Sequence, residues 1–353
     1  MRIFASENSY IKMPHILIDD KIPYIRGLAE RLGECTYMPG SAISREEVRD
    51  ADVLIVRTRT RCNRALLAGS RVRFIVTATI GYDHIDTEYL KEAGIGWTNC
   101  PGCNASSVAQ YVESALILLN RAGCIDFQTS TIGVVGVGHV GAQVCARVAA
   151  LGLSVLRCDP PRGRREGGYF VSLARLQEEA DIITFHTPLT TSGPDATYHL
   201  AGPAFFAGLK RPIVFINTSR GEVADTKALL KAMACGAVSQ AVIDTWEDEP
   251  HISPTLLNQT FIGTPHIAGY SADGKANATR MALQAVARFL GRDEMEFNVE
   301  PPALALSADD IPSDPLDRKL LLYNPMHDSD ALKSRPADFE MLRACYPLRR
   351  EKF

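Results

Sequence analysis

The chain alternates short unbroken apolar runs with stretches in which apolar residues recur every three or four positions. Unbroken runs of this length read as strands buried on both faces, and the longer periodic stretches as helices packed against them. Runs at 14–19 (PHILID), 52–56 (DVLIV) and 74–78 (FIVTA) come first, spaced by short helical patterns such as 25–32, which ends at Gly33. This alternation predicts a small parallel α/β domain over 14–98. Further runs at 131–135, 153–158, 181–185, 212–217, 239–243 and 261–262 predict a second. Two long helical patterns flank it, 104–121 and 271–290; in the first, Ser107 and Gln110 fit a capping box. A chain that crosses twice between two such lobes is expected to leave a cleft between them. The fold class is therefore α/β, with two doubly wound parallel sheets.

One stretch carries chemistry in its glycines: 131–159, TIGVVGVGHVGAQVCARVAALGLSVLRCD. A buried strand runs into Gly136, Gly138 and Gly141, and then into a helix whose apolar stripe is Val140, Val144, Val148 and Leu151. Gly136 allows the tight turn, Gly138 lets backbone approach a pyrophosphate, and Gly141 lets helix and strand pack closely. The helix N-terminus, with His139 and Val140, offers free N–H groups to phosphates, while the His139 ring is expected to face solvent. Asp159 ends the next strand 18 residues after Gly141, where a carboxylate accepts from ribose hydroxyls. The expectation is an NAD-binding Rossmann domain over 104–270. A carboxylate at Asp159 repels a 2′-phosphate and so favours NAD over NADP. Arg162, Arg164 and Arg165 read as a solvated basic loop.

Bulk composition narrows the field. The chain has 353 residues, 46% apolar and 22% charged, enough for two domains. A net charge of −3 leaves no electrostatic footprint for nucleic acid. No apolar run approaches the roughly 18 residues a membrane helix needs. The opening residues carry no signal-peptide core. Nine cysteines scattered through strand and helix patterns suit a reducing compartment, so a cytoplasmic protein is expected. Cys100-Pro-Gly-Cys103 has the spacing of a redox pair or half a zinc site, but without a second pair it reads as a turn, and no metal is expected.

The strand ends are polar, and in open α/β sheets ligands sit at the carboxyl ends of strands. In the first domain those ends carry Arg57, Thr58, Arg59 and Arg61, then Thr79, Gly81 and His84. Guanidinium and hydroxyl groups there suit an anionic substrate. In the second domain they carry Thr187; then Ser219 and Arg220; then Asp244, Glu247, Asp248 and Glu249; then His266. An arginine, carboxylates and a histidine can oxidise a hydroxy acid. The arginine holds the carboxylate and carbonyl oxygen, and the histidine takes the hydroxyl proton. A carboxylate orients the imidazole; which one pairs with His266 is left open. His84 has no evident partner, and His15, His199, His251 and His327 read as surface or packing residues.

Eight motifs carry a resemblance. They are TATIGYDHID (77–86), CPGCNASSVAQYV (100–112), GVVGVGHVG (133–141), CDPPR (158–162), TFHTPL (184–189), INTSRGEVAD (216–225), IDTWEDEP (243–250) and GTPHIAGYS (263–271). With them the chain resembles the D-isomer-specific 2-hydroxyacid dehydrogenases. The resemblance places the catalytic arginine at Arg220, its carboxylate at Glu249 and the acid/base histidine at His266, spaced by 29 and 17 residues. It puts Asp244 by the nicotinamide carboxamide, Asp159 on the ribose, and Thr187, Ser219 and Gly269 at the cofactor. Thr58, Thr79, Gly81 and Tyr270 fall on substrate positions; Arg57 is added as a phosphate ligand on its charge. The implied domains are 14–103 with 271–300 for substrate, 104–270 for NAD, and 301–353 as a truncated C-terminal dimerisation region, hence a homodimer. Residues 1–13 have no counterpart. PGCNA and CDPPR imply a phosphorylated hydroxy acid, 4-phospho-D-erythronate, as the small-molecule partner. The alternatives are another D-2-hydroxy acid such as 3-phosphoglycerate, and an NAD-sensing corepressor-like binding protein.

Overall fold

A computed structural model describes residues 13–353, so the segment without a counterpart, residues 1–13, lies, but for Met13, outside the described residues. The chain divides into two compact units, Met1–Cys103 with Lys275–Pro301, and Asn104–Gly274 with Pro302–Phe353.

The first unit holds five parallel strands: β1 (His15–Asp19), β2 (Glu34–Met38), β3 (Val53–Val56), β4 (Phe74–Thr77) and β5 (Gly96–Thr98). Their order is β2-β1-β3-β4-β5. Every residue of β3 is buried, as an unbroken VLIV run requires between two covering layers. One layer comes from the helix Ala272–Phe289, whose Ala278, Ala282, Leu283 and Val286 pack on Ile16, Ile18, Val53 and Ile55. The pattern at 25–32 does not become a regular helix. Only a 3-10 turn at Ala29–Arg31 forms there, with Ile25 and Leu32 buried in the same core.

The second unit holds β6 (Thr131–Val135), β7 (Ser154–Cys158), β8 (Ile182–Phe185), β9 (Ile213–Asn217), β10 (Val238–Ile243) and β11 (Ile262–Gly263). They form one parallel sheet in the order β11-β10-β9-β8-β6-β7. The chain reverses direction across the sheet between β6 and β8, and the crevice at the carboxyl ends of those strands is where such sheets bind ligands. The helix Ala105–Arg121 covers one face with Tyr111, Val112, Ala115 and Leu116.

Two expectations change here. Ser107 and Gln110 do not form a capping box: the helix begins after Asn104 with no side-chain cap. Both lie buried inside the helix and serve the C-terminal segment. Residues 302–353, read above as a separate region, belong to the second unit. Arg349 sits 3.6 Å over the Tyr323 ring and donates to Gln110, to the Ser107 carbonyl and to the Ile267 carbonyl. Arg350 forks onto Asp273 at 2.9 and 3.2 Å. Buried charges persist only when paired in this way. Among the described residues no helix is long and apolar enough to cross a membrane.

Candidate active site

The glycine loop joins β6 to the helix His139–Ala150. Gly136 adopts φ +82°, and a Cβ on Gly141 would lie 2.0 Å from the Gly136 carbonyl oxygen, so neither position admits a side chain. Gly138 differs: no protein atom lies within 4 Å of where its Cβ would be. Gly138 and His139 are exposed, with Val140 partly so, leaving the first N–H groups of the helix open to a phosphate. Thr187, just past β8, has a buried hydroxyl with no partner, beside Gly136. A buried hydroxyl without a partner is costly, and an incoming ligand can satisfy it. These features fit a dinucleotide.

Asp159 caps the helix Pro160–Glu166, accepting from Arg162 N at 3.0 Å, and its second oxygen accepts from Val137 N at 2.8 Å. It therefore binds the glycine loop itself, and each oxygen keeps a lone pair for a ribose hydroxyl. Arg162 is not merely solvated. Its guanidinium donates to the Val137 carbonyl at 2.5 Å and pairs with Glu166. Arg164 pairs with Asp195.

The histidine and its carboxylate meet after β10 and β11. His266 Nδ1 lies 2.8 Å from Glu249 Oε2, and Glu249 Oε1 accepts from Trp246 N at 2.9 Å. This resolves which carboxylate lies against the imidazole. Burial pushes the Glu249 carboxyl up, but the hydrogen bond and charge of His266 outweigh it and hold the group below its ordinary value. An ionised carboxylate only accepts, so Nδ1 must donate and Nε2 is left as the open nitrogen. Asp244 fixes the backbone just beyond: it accepts from Thr264 Oγ1 at 2.6 Å, Ile267 N at 2.8 Å and Ala268 N at 2.9 Å. It is fully buried, which raises its carboxyl above the ordinary value.

Arg220 follows β9, the strand beside β10. Its Nη1 donates to the Ser219 carbonyl at 2.8 Å, and the Asn217 side chain holds the Arg220 carbonyl at 2.9 Å. The Ser219 hydroxyl is already spent on Asn217 at 2.7 Å. At Gly221, missed from sequence, a Cβ would sit 1.8 Å from the Trp246 carbonyl oxygen. The Arg220 turn thus lies backbone-to-backbone against the loop that carries Glu249. His199 also braces that loop, through Glu247 at 2.6 Å. A Cβ on Gly269 would lie 2.0 Å from Asn104 Nδ2, so the Asn104 side chain would have to shift to admit one.

In the first unit Arg57 donates to the Lys21 carbonyl at 2.8 Å, and Thr58 is exposed. Lys275, not singled out from sequence, is near enough for burial and the Arg57 charge to lower its ammonium value. Thr79 donates to the Gly81 carbonyl at 2.8 Å. His84 has a partner after all, the Thr77 hydroxyl at 3.0 Å. Tyr270 lies in the second unit beside the C-terminal segment, its ring edge-on to Tyr346. Cys100 and Cys103 are buried and in no disulfide, and Cys100 donates to the Ala278 carbonyl.

The family described as D-isomer specific 2-hydroxyacid dehydrogenase, NAD binding domain, matches residues 110–268. The chain is 54% identical over 346 residues to the erythronate-4-phosphate dehydrogenase of Bacteroides thetaiotaomicron, covering 96% of this chain and 97% of that one. It is 53% identical to the enzyme of the same name from Bacteroides fragilis, with the same coverage. Among solved structures, D-lactate dehydrogenase from Aquifex aeolicus, complexed with NAD and lactic acid, superposes with a TM-score of 0.62. It is 25% identical, covering 81% of this chain and 100% of that one. The chain belongs to the D-isomer-specific 2-hydroxyacid dehydrogenases, as an NAD-dependent oxidoreductase whose relatives at more than half identity are erythronate-4-phosphate dehydrogenases.

Proposed function

We propose that the chain oxidises 4-phospho-D-erythronate at C2 to (R)-3-hydroxy-2-oxo-4-phosphooxybutanoate, in the route to pyridoxal phosphate. The observation that carries the chemistry is the 2.8 Å contact of His266 Nδ1 with Glu249. It leaves Nε2 as the acceptor for the C2 hydroxyl proton and lets the carboxylate steady the imidazolium that results. NAD, when bound, would supply the acceptor for the C2 hydrogen as hydride. Arg220 is assigned to the substrate carboxylate and the developing carbonyl oxygen, where a planar guanidinium can pair with both. Asp244 holds the backbone after His266 and lies by the carboxamide in this reading, with Asp159, Thr187 and the glycine loop binding the rest of the dinucleotide. Thr58, Thr79, Gly81 and Tyr270 are assigned to substrate. Arg57, with Lys275 beside it, is assigned to the phosphate, since two cations held together relieve their repulsion on an anion.

The 3-phosphoglycerate and corepressor readings are not favoured, because the relatives that match nearly the whole chain carry another name. Nine cysteines, none of them in a disulfide, support a reducing compartment, the cytoplasm. A homodimer is supported by the apolar surface of the C-terminal segment. Among the described residues, five of the nine exposed large hydrophobic residues, Leu306, Leu321, Met341, Leu348 and Phe353, lie there. The test is NADH formation from 4-phospho-D-erythronate, against unphosphorylated erythronate and 3-phosphoglycerate. Preference for either competitor contradicts the proposal.

A further inference from the structure

The short helix Phe339–Ala344 brings a second guanidinium, Arg343, to Tyr270, four residues beyond His266. Arg343 Nη2 donates to the Tyr270 hydroxyl at 3.3 Å, and its guanidinium carbon lies 5.8 Å from the Tyr270 ring centroid and 5.9 Å from that of Phe339. Nη1 lies 3.2 Å from Glu340. The third nitrogen, Nε, is buried and its N–H has no partner. The same positive charge is felt at Glu249, where it helps hold the carboxylate ionised.

An arginine whose purpose is to anchor the C-terminal segment should look like its neighbours Arg349 and Arg350, whose guanidinium groups donate three bonds each to residues of the second unit. Arg343 instead keeps a buried N–H open, against a tyrosine at a substrate position. A guanidinium does not lose its charge, and its fork matches carboxylate and phosphate oxygens. We infer that Arg343 is a substrate-binding residue, donating through Nε to an anionic oxygen of the hydroxy acid, either phosphate or carboxylate. The inference deepens the proposed function and rests on it. Nothing local in the sequence marks the residue, which lies 94 positions after Glu249.

The test compares wild type, R343Q and R343K by steady-state kinetics, by calorimetric titration of 4-phospho-D-erythronate, by NAD binding and by thermal melting. Loss of a charge-assisted donor should raise KM and the substrate Kd about ten- to hundredfold in R343Q, and about tenfold in R343K, with NAD affinity unchanged. A penalty seen with 4-phospho-D-erythronate but not with erythronate assigns the phosphate; an equal penalty on both assigns the carboxylate. Unchanged KM and substrate Kd in R343Q, with a lowered melting temperature, would mean a purely structural arginine and overturn the inference. If R343Q does not fold, the same result in folded R343K overturns it. Wild type inactive on 4-phospho-D-erythronate contradicts the proposed function alone. Arg343 is then judged on whichever D-2-hydroxy acid wild type oxidises.

Discussion

His266 is held with φ +56°, a left-handed backbone that a residue with a Cβ rarely adopts. The surroundings impose it: the His266 N–H donates to the Asp244 carbonyl at 2.8 Å, and the Asp244 carboxylate takes the next two N–H groups. Strain kept in place by so many bonds fits the acid/base role proposed for His266. His266→Ala should therefore cost about 10²- to 10⁴-fold in turnover, the usual worth of an acid/base group, while NAD binds as before; stopped-flow NADH formation and NAD titration check both. Glu249 gives a pH prediction. Its carboxyl is held below its ordinary value in the folded protein. Such a group adds stability above its unfolded value, about 4.3, and that stability is lost as pH falls through the folded value. The melting-temperature gap between wild type and Glu249→Gln should close as pH falls below about 5. A gap that widens on acidification would contradict the assignment.

Among the elements, the glycine loop offers a cleaner contrast than any single side chain. Gly141→Ala would press a methyl onto the Gly136 carbonyl, whereas Gly138→Ala meets no protein atom. Gly141→Ala should lower the melting temperature and NAD affinity together. Gly138→Ala should melt like wild type and lose NAD affinity alone, as calorimetry and a thermal scan would show. Equal stability losses in both would remove the case for a dinucleotide cradle. The loop was legible from sequence because its glycines, strand and helix are contiguous. So were β3, β4, β6, β8 and β9, whose runs are apolar apart from a single buried or terminal polar residue in four of them. The edge strands of the first sheet were not: β2 (ECTYM) has only exposed and half-buried positions, and β5 is three residues long. Ser107 and Gln110 imitate a capping box locally, but their real partners, Ala268, Arg349 and Arg350, lie more than 150 residues away. The contacts Arg162 makes with Val137, Gly221 with Trp246 and Arg343 with Tyr270 were not legible for the same reason: no local pattern encodes them.

At the scale of the whole molecule, the C-terminal segment is tied to the residues that follow His266. Arg349 takes the Ile267 carbonyl, Ser271 donates to Glu351 at 2.5 Å, and Asp273 takes both Arg350 and the Glu351 N–H. Removing one member of a buried ion pair leaves the other uncompensated. Arg350→Ala should thus cost about 3 kcal/mol or more of stability, measured by denaturant unfolding, and loosen the histidine loop. Sedimentation should find a dimer, and charges placed at Leu348 and Met341 should dissociate it; a monomeric wild type would leave their exposure unexplained by association. The account turns, however, on what the site oxidises. The most direct measurement is single-turnover reduction of NAD, followed by cofactor fluorescence, with 4-phospho-D-erythronate, erythronate and 3-phosphoglycerate in parallel. The account predicts fast NADH formation with 4-phospho-D-erythronate and at least about a tenfold weaker response to the others, the worth of one charge-assisted contact. Equal or better reduction by 3-phosphoglycerate, or no reduction by any of the three, would contradict it.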